Sequence, residues 1–132
     1  MAANQSARVL IVDDDAAIRR MVHEALELEG YTISEAPDGQ PALDQLLASP
    51  HELVVLLDVM MPGMDGLTLL QRLARAAPAV KRHAYILMTA RRQTFPTPVL
   101  QVFQQLGVRV VLKPFELDTL VAAVAQAARG LS

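Results

Sequence analysis

LVVLLDVMMPGMDG (Leu53–Gly66) is an unbroken apolar run that stops at an aspartate and passes into a loop carrying proline and glycine. A strand that is apolar at every position, rather than at alternate ones, is buried on both faces, as in parallel sheets covered by helices on each side. Three other stretches have the same form: VLIVDDD (Val9–Asp15), YILMTA (Tyr85–Ala90) and VVLKPF (Val110–Phe115). The polar residues at which the four runs stop are Asp13, Asp14, Asp58, Thr89 and Lys113. As parallel strands of one sheet, the runs would deliver these side chains together to its carboxyl edge, where open α/β sheets bind ligands.

The segments between the runs have helical period. Ile18, Met21, Val22, Ala25, Leu26 and Leu28 recur three or four apart with Arg19, Arg20, Glu24 and Glu27 between them, and Gly30 is placed to end that helix. Tyr31–Ala36 reads as a weaker strand, and PDGQP (Pro37–Pro41) as a turn that launches a helix through Ala42, Leu43, Leu46 and Leu47 to Ser49. After the strand Leu53–Leu57 and the loop Met61–Gly66, a helix is expected over about Leu67–Ala76, then a strand at Tyr85–Met88. Thr97 is the expected N-cap of the next helix, with Pro98 at its first position and Gly107 as its stop. Val108–Leu112 is the last strand and Leu117–Arg129 the last helix, ended by Gly130.

Five strand-helix units predict an α/β fold: a doubly wound, five-stranded parallel sheet with helices on both faces. Right-handed crossovers favour the strand order 2-1-3-4-5, which puts strands 1 and 3, and so Asp13, Asp14 and Asp58, at the switch point. The expectation is a single domain over 1–132, with its core at about 7–130 and no output domain.

Composition agrees. A chain of 132 residues, 52% hydrophobic with a formal net charge of -2, can build a real core and lacks the positive field of a general nucleic-acid binder. No direct nucleic-acid partner is expected. There is no cysteine, which excludes disulfides and thiolate sites, and neither a signal peptide nor an apolar run of membrane-spanning length is present in the sequence. The expectation is a cytoplasmic protein without membrane insertion.

Three carboxylates in one crevice repel one another unless a cation intervenes, and Mg²⁺ suits so sparse a set because it keeps several waters and takes one or two carboxylates with phosphate oxygens. A lysine supplies a point charge for a carboxylate or phosphoryl oxygen, and a threonine hydroxyl supplies a small donor. The set describes a phosphoryl-transfer site in which an aspartate can be the covalent acceptor.

Apart from its first few residues, the chain resembles the receiver domains of bacterial two-component response regulators, CheY-like proteins of the flavodoxin-like (βα)5 fold. The likeness rests on an acidic pair after strand 1, D-x-x-M-P-x-M-D-G after strand 3, a threonine after strand 4 and K-P-F after strand 5. It implies that Asp58 accepts the phosphoryl group and that Asp14 and Asp58 ligate Mg²⁺ directly, Asp13 through water and Met60 through its carbonyl. It also implies that Thr89 bonds a phosphoryl oxygen, that Lys113 pairs with the phosphoryl group and that Lys113–Pro114 is a cis peptide. A phosphorelay signalling protein is therefore expected, taking its phosphoryl group from a sensor histidine kinase or a histidine phosphotransfer protein and regulating a downstream protein target. Its only chemistry would be self-catalysed phosphorylation and autodephosphorylation.

Two alternatives belong beside this reading: a degenerate receiver serving as a constitutive scaffold, and an Mg²⁺-dependent phosphohydrolase. The latter commonly needs a second acid two residues after the nucleophile, where this chain has Met60. The chain also departs from the family at Val110, where receivers usually carry an aromatic that rotates on phosphorylation. The stretch ARRQTFPTPVLQVFQQLG (Ala90–Gly107) is longer than usual before its helix. A relay through Thr89 into Ala90–Pro98 is expected instead, with Phe95 and Phe103 in the core. Asp15 and Asp65 read as helix caps, the methionines mostly as core filler with Met60 at the mouth of the site, and His23, His51 and His83 as exposed or capping residues. Val121, Val124 and Ala128 would face the sheet from the last helix, leaving Ala122, Ala125, Gln126 and Arg129 as a smooth outer surface compatible with partner docking or a homodimer.

Overall fold

The computed structural model describes residues 7–76, 78–90 and 95–131. Strands β1 (Arg8–Val12), β2 (Thr32–Ala36), β3 (Leu53–Asp58), β4 (Ala84–Thr89) and β5 (Arg109–Leu112) form one parallel sheet in the order β2-β1-β3-β4-β5. Helices α1 (Ala16–Leu28), α2 (Gly39–Ala48), α3 (Gly66–Ala74), α4 (Thr97–Leu106) and α5 (Leu117–Arg129) alternate with the strands, and a short 3₁₀ turn (Pro78–Arg82) leads into β4. The expected fold class and strand order are those observed.

Alternate residues of the central strands enter two separate cores. Leu10, Val12, Val55, Leu57, Tyr85 and Leu87 pack under α2, α3 and α4, whereas Val9, Ile11, Val54, Leu56, Ile86 and Met88 pack under α1 and α5. Each fully buried aliphatic side chain contributes about 1.5–3 kcal/mol relative to exposure. Apolar side chains on both faces cannot set the register by alternation, so the polar residue that ends each run does. A one-residue slip inward would draw the Asp58 carboxylate into the apolar layer, where an unpaired charge is prohibitively costly. The outer strands β2 and β5 are mostly exposed: this agrees with the weaker reading of Tyr31–Ala36, but the apolar run of β5 was expected to be buried on both faces and, as an edge strand, is not.

The helix ends follow their local chemistry with one exception. Asp15 accepts from the N–H groups of Ala17 and Ile18, Asp38 from Gln40 and Asp65 from Thr68, so each acts as an N-cap. Gly30 and Gly107 adopt left-handed geometry after α1 and α4 (φ 96° and 66°), which is strained for any residue with a Cβ. Thr97, however, is not the N-cap of α4. It is the first helical residue, Pro96 is the cap, and the Pro96 carbonyl accepts from Val99 and Leu100 at 3.0 Å each, the N–H groups a Thr97 side chain would have served.

Three other expectations change. His83 is buried rather than exposed: its Nδ1 accepts from Leu53 N–H (3.0 Å), and its Nε2 lies 3.2 Å from the Leu46 carbonyl. That arrangement requires the neutral tautomer with hydrogen on Nε2. Of the described methionines, Met61 and Met88 fill core and Met64 packs against it, Met60 is exposed as expected, and Met21 is exposed where core was expected. On α5 the fully buried positions are Leu120, Val124 and Ala127; Val121 and Ala128 are half-buried, and Ala122, Gln126 and Arg129 face outward. Phe95 and Phe103 meet edge to face at 5.1 Å within the α4-side core, where aromatics were expected. Residues 91–94 of the expected relay segment lie outside the described residues.

Candidate functional site

The carboxyl ends of β1 and β3 bring Asp13, Asp14 and Asp58 together. One carboxylate oxygen from each lies within 4.8 Å of the others. Asp13 and Asp58 are buried and Asp14 is exposed, so the crevice has a closed floor and an open lip. Thr89, the last residue of β4, is also buried, and its carbonyl accepts from the N–H of Lys113 at 2.7 Å. That bond ties the ends of β4 and β5. Lys113 then reaches across β4 to donate from Nζ to Asp58 Oδ1 at 2.8 Å, with Asp13 Oδ2 at 3.6 Å. The Lys113–Pro114 peptide is cis, as the resemblance implied.

Asp13 carries the electrostatic tension of the site. Its Oδ1 accepts from Asp15 N–H at 2.9 Å, whereas its buried Oδ2 has no hydrogen-bond partner. Burial pushes its pKa up, the Asp15 hydrogen bond opposes this, and the negative charge of Asp58 pushes it further in the same direction. Burial works to lower the pKa of Lys113, but the Asp58 hydrogen bond and the charges of Asp13 and Asp58 outweigh it, and the net shift is upward. Lys113 thus stays charged. One ammonium faces three carboxylates, which leaves a deficit of positive charge at a cluster of hard oxygen donors. An orphaned buried carboxylate oxygen and an all-oxygen donor set fit a divalent cation such as Mg²⁺.

The loop after Asp58 is held tightly. Val59 N–H donates to Met88 O (3.2 Å), and Gly66 N–H donates to Val59 O (2.9 Å), which folds the loop back so that α3 starts beside the strand it left. A Cβ on Gly66 would collide with the Asp58 carbonyl, so only glycine lets the two backbones approach this closely. Met60 lies in this loop and is exposed. Beside Lys113, a largely apolar open cleft of about 390 Å³ is lined by Ile18, Met21, Ala90, Pro114 and Phe115. Val110 is 43% exposed on β5.

Arg19 and Glu35, which no sequence pattern marks as functional, buttress the site. Arg19 Nη1 donates to the Asp13 carbonyl at 2.6 Å and its Nε to Glu35 Oε1 at 3.0 Å. Periodicity placed Arg19 on the polar face of α1, and nothing in that signal says which backbone carbonyl a polar side chain will find.

The response regulator receiver domain model matches residues 9–125. A probable chemotaxis protein CheY of Rhizobium etli is 36% identical over 126 residues, spanning 94% of this chain and 94% of that protein. The uncharacterized transcriptional regulatory protein YkoG of Bacillus subtilis is also 36% identical over 126 residues, but this chain spans only 52% of its length. Among solved structures, a CheY-like receiver domain protein from Methanospirillum hungatei superposes with a TM-score of 0.79 at 28% identity, covering 94% of this chain and 98% of that one. The crevice of carboxylates at the β1/β3 switch point and a family match over nearly the whole length agree, and the chain belongs to the response regulator receiver domain family.

Proposed function

We propose that this protein is a phosphoacceptor signalling module in which Asp58 receives a phosphoryl group from a phosphohistidine of a partner kinase or phosphotransfer protein. The observation that carries the reading is the Lys113–Asp58 contact inside the acidic cluster, because it sets a fixed positive charge beside one carboxylate while leaving that carboxylate's second oxygen for chemistry. In the transfer, an Asp58 carboxylate oxygen attacks phosphorus in line, the P–O bond forms, the P–N bond to the donor imidazole breaks with its electron pair staying on nitrogen, and the imidazole leaves neutral, carrying the proton already on its other ring nitrogen. Lys113 then pairs with the phosphoryl group, and the Thr89 hydroxyl donates to one of its oxygens. Asp14, Asp58 and the Met60 carbonyl would hold Mg²⁺ directly and Asp13 through water, and the ion would supply charge neutralisation for the transferring group. Asp13 orients that set through its bond to Asp15 N–H, and the α3 start at Gly66 keeps the Asp58 strand end from shifting.

The apolar cleft beside Lys113 suits the approach of the donor protein, since it is open, borders the site and presents Ile18, Met21 and Phe115. The receiver domain has its core at about 7–130, and in this reading it acts in signalling rather than as a metabolic enzyme. Among the described residues no helix is long and apolar enough to cross a membrane, in keeping with a cytoplasmic site of action. Intact-mass measurement after incubation with a small acyl phosphate and Mg²⁺ tests the proposal. A single added phosphoryl group that disappears on chelation of Mg²⁺ during the incubation supports it; an unmodified mass at saturating donor would sink it and leave the scaffold reading.

A further inference from the structure

Asp13 is anchored at three points. Its N–H donates to the Ala36 carbonyl at the end of β2 (3.2 Å), its carboxylate Oδ1 accepts from Asp15 N–H (2.9 Å), and its carbonyl accepts from Arg19 Nη1 (2.6 Å). The third anchor sets the tilt of the Asp13–Asp14 peptide plane, and so the direction in which both side chains leave the chain. Arg19 is itself held from the far side, since its Nε donates to Glu35 Oε1 on β2. The other oxygen of Glu35 lies 2.6 Å from His23 Nδ1, one turn further along α1. A planar guanidinium presents its donors in a rigid fork, so a chain of α1, β2 and the β1–α1 turn is locked through one side chain.

The charge of Arg19 runs against any simple electrostatic benefit. A guanidinium next to a cluster of carboxylates that takes a cation repels that cation, and a lone polar side chain with many alternatives on α1 is not needed there for solubility. Its geometry is what serves the site. We infer that Arg19, braced by Glu35, is a positioning residue for metal binding: it holds the Asp13–Asp14 turn so that the two carboxylates converge on the place where the cation sits. The inference rests on the Mg²⁺ reading of the acidic cluster.

Charge and geometry predict opposite signs, which makes the inference testable by Mg²⁺ affinity itself. Arg19→Met removes the donors and the charge together. If Arg19 acted only through its charge, Mg²⁺ would bind more tightly to the variant; if it positions the turn, Mg²⁺ binds more weakly, by about tenfold, the loss typical of removing a partner that orients a metal ligand. Calorimetric Mg²⁺ titrations at fixed ionic strength read the difference, with hydrogen exchange at the Asp15 amide in the metal-free protein as a second readout that should accelerate. Arg19→Lys keeps the charge but cannot bridge the Asp13 carbonyl and Glu35 at once. It should also weaken Mg²⁺ binding, and it carries the test if Arg19→Met does not fold. Equal or tighter Mg²⁺ binding by a folded variant would overturn the role of Arg19 while leaving the metal site standing, whereas a parent protein that takes no Mg²⁺ would defeat the metal reading and this inference with it.

Discussion

At the carboxyl end of the sheet a buried carboxylate oxygen of Asp13 has no hydrogen-bond partner, whereas at the amino end the buried ring of His83 has a partner on each nitrogen and the buried Tyr85 hydroxyl donates to the Val80 carbonyl at 2.7 Å. The two ends share the same strands and differ in what the polar groups are for. His83 joins α2 to the start of β3, while the 3₁₀ turn is pinned by Tyr85, and Arg82 adds donors to the carbonyls of Ser49 and Pro50. These bonds hold the fold without any ligand, although Arg82 Nε is itself buried without a hydrogen-bond partner. The acidic end is left short of positive charge, so its stability depends on what binds there. The orphaned Arg82 Nε belongs to a guanidinium already bonded through both of its other nitrogens, whereas the orphaned Asp13 oxygen sits among like charges, which is where a cation would bind.

The sharpest break in this comparison is Asp58→Ala. It should abolish covalent phosphorylation by a small acyl phosphate, read by intact mass, while the circular dichroism spectrum is kept, because the substitution relieves repulsion at the site rather than removing packing. Labelling equal to that of the parent protein would show that another residue is the acceptor. At the opposite end, His83→Ala should leave the Leu53 N–H and the Leu46 carbonyl buried without partners and lower stability by about 3 kcal/mol in urea unfolding, with phosphorylation at Asp58 still detectable. A loss under 1 kcal/mol would mean that water replaces the ring, and the amino end would not be the structural staple described.

Asp13→Asn should act in the reverse direction. It replaces a buried carboxylate whose pKa is raised, chiefly by burial, with a neutral isostere, so the metal-free melting temperature should rise by a few degrees while the stabilisation by Mg²⁺ disappears. A fall in the metal-free value would contradict the idea that unbalanced charge strains this end.

His23 and His83 should tilt the pH dependence of stability in opposite senses. Burial lowers the pKa of His83, so the unfolded chain takes up its proton more readily; this residue's contribution is present above the ordinary histidine value of 6.5 and is lost as pH falls below it. The hydrogen bond to Glu35 raises the pKa of His23, so its contribution is present below 6.5 and is lost as pH rises through its folded value. Urea midpoints across pH 5–8 should therefore flatten at the acid side in His83→Gln and at the neutral side in His23→Gln. Matching profiles for the two variants would rule out this assignment. The smallest effect concerns the switch: with Val110 in place of an aromatic, phosphorylation should change hydrogen exchange more at Ala90 and across Phe95–Val99 than around Val110. The opposite ranking would return the signal to β5.

Much of this was legible before any coordinates. Apolar runs with no alternation, each stopped by Asp, Thr or Lys, were enough to identify four of the five parallel strands and the group of residues at the carboxyl edge, and the handedness of the crossovers gave the strand order. Burial on both faces and a polar stop are properties of contiguous residues, and contiguous residues are what a sequence displays. Asp15 and Asp65 were readable as caps for the same reason, because a cap bonds to N–H groups two or three residues away. Thr97 misled because a competing carbonyl, Pro96, took the donors, a contest the pattern T-P does not reveal.

What only the tertiary structure decided are the contacts between residues far apart in the chain. His83 looked like a loop histidine, yet its two partners lie 30 and 37 residues away, and their positions depend on how α2 and β3 meet the turn before β4. Lys113 could be placed at the crevice from the sequence, but its choice of Asp58 over Asp13 follows from a side-chain conformation set by the β4–β5 register. Arg19 and Glu35 are polar residues on a helix face and an edge strand, indistinguishable in pattern from their solvated neighbours until the helix is docked on the sheet. The physical reason is common to all of them: periodicity reports which face a side chain occupies, while a hydrogen bond needs a particular atom within about 3 Å, and that is determined only when separate elements pack.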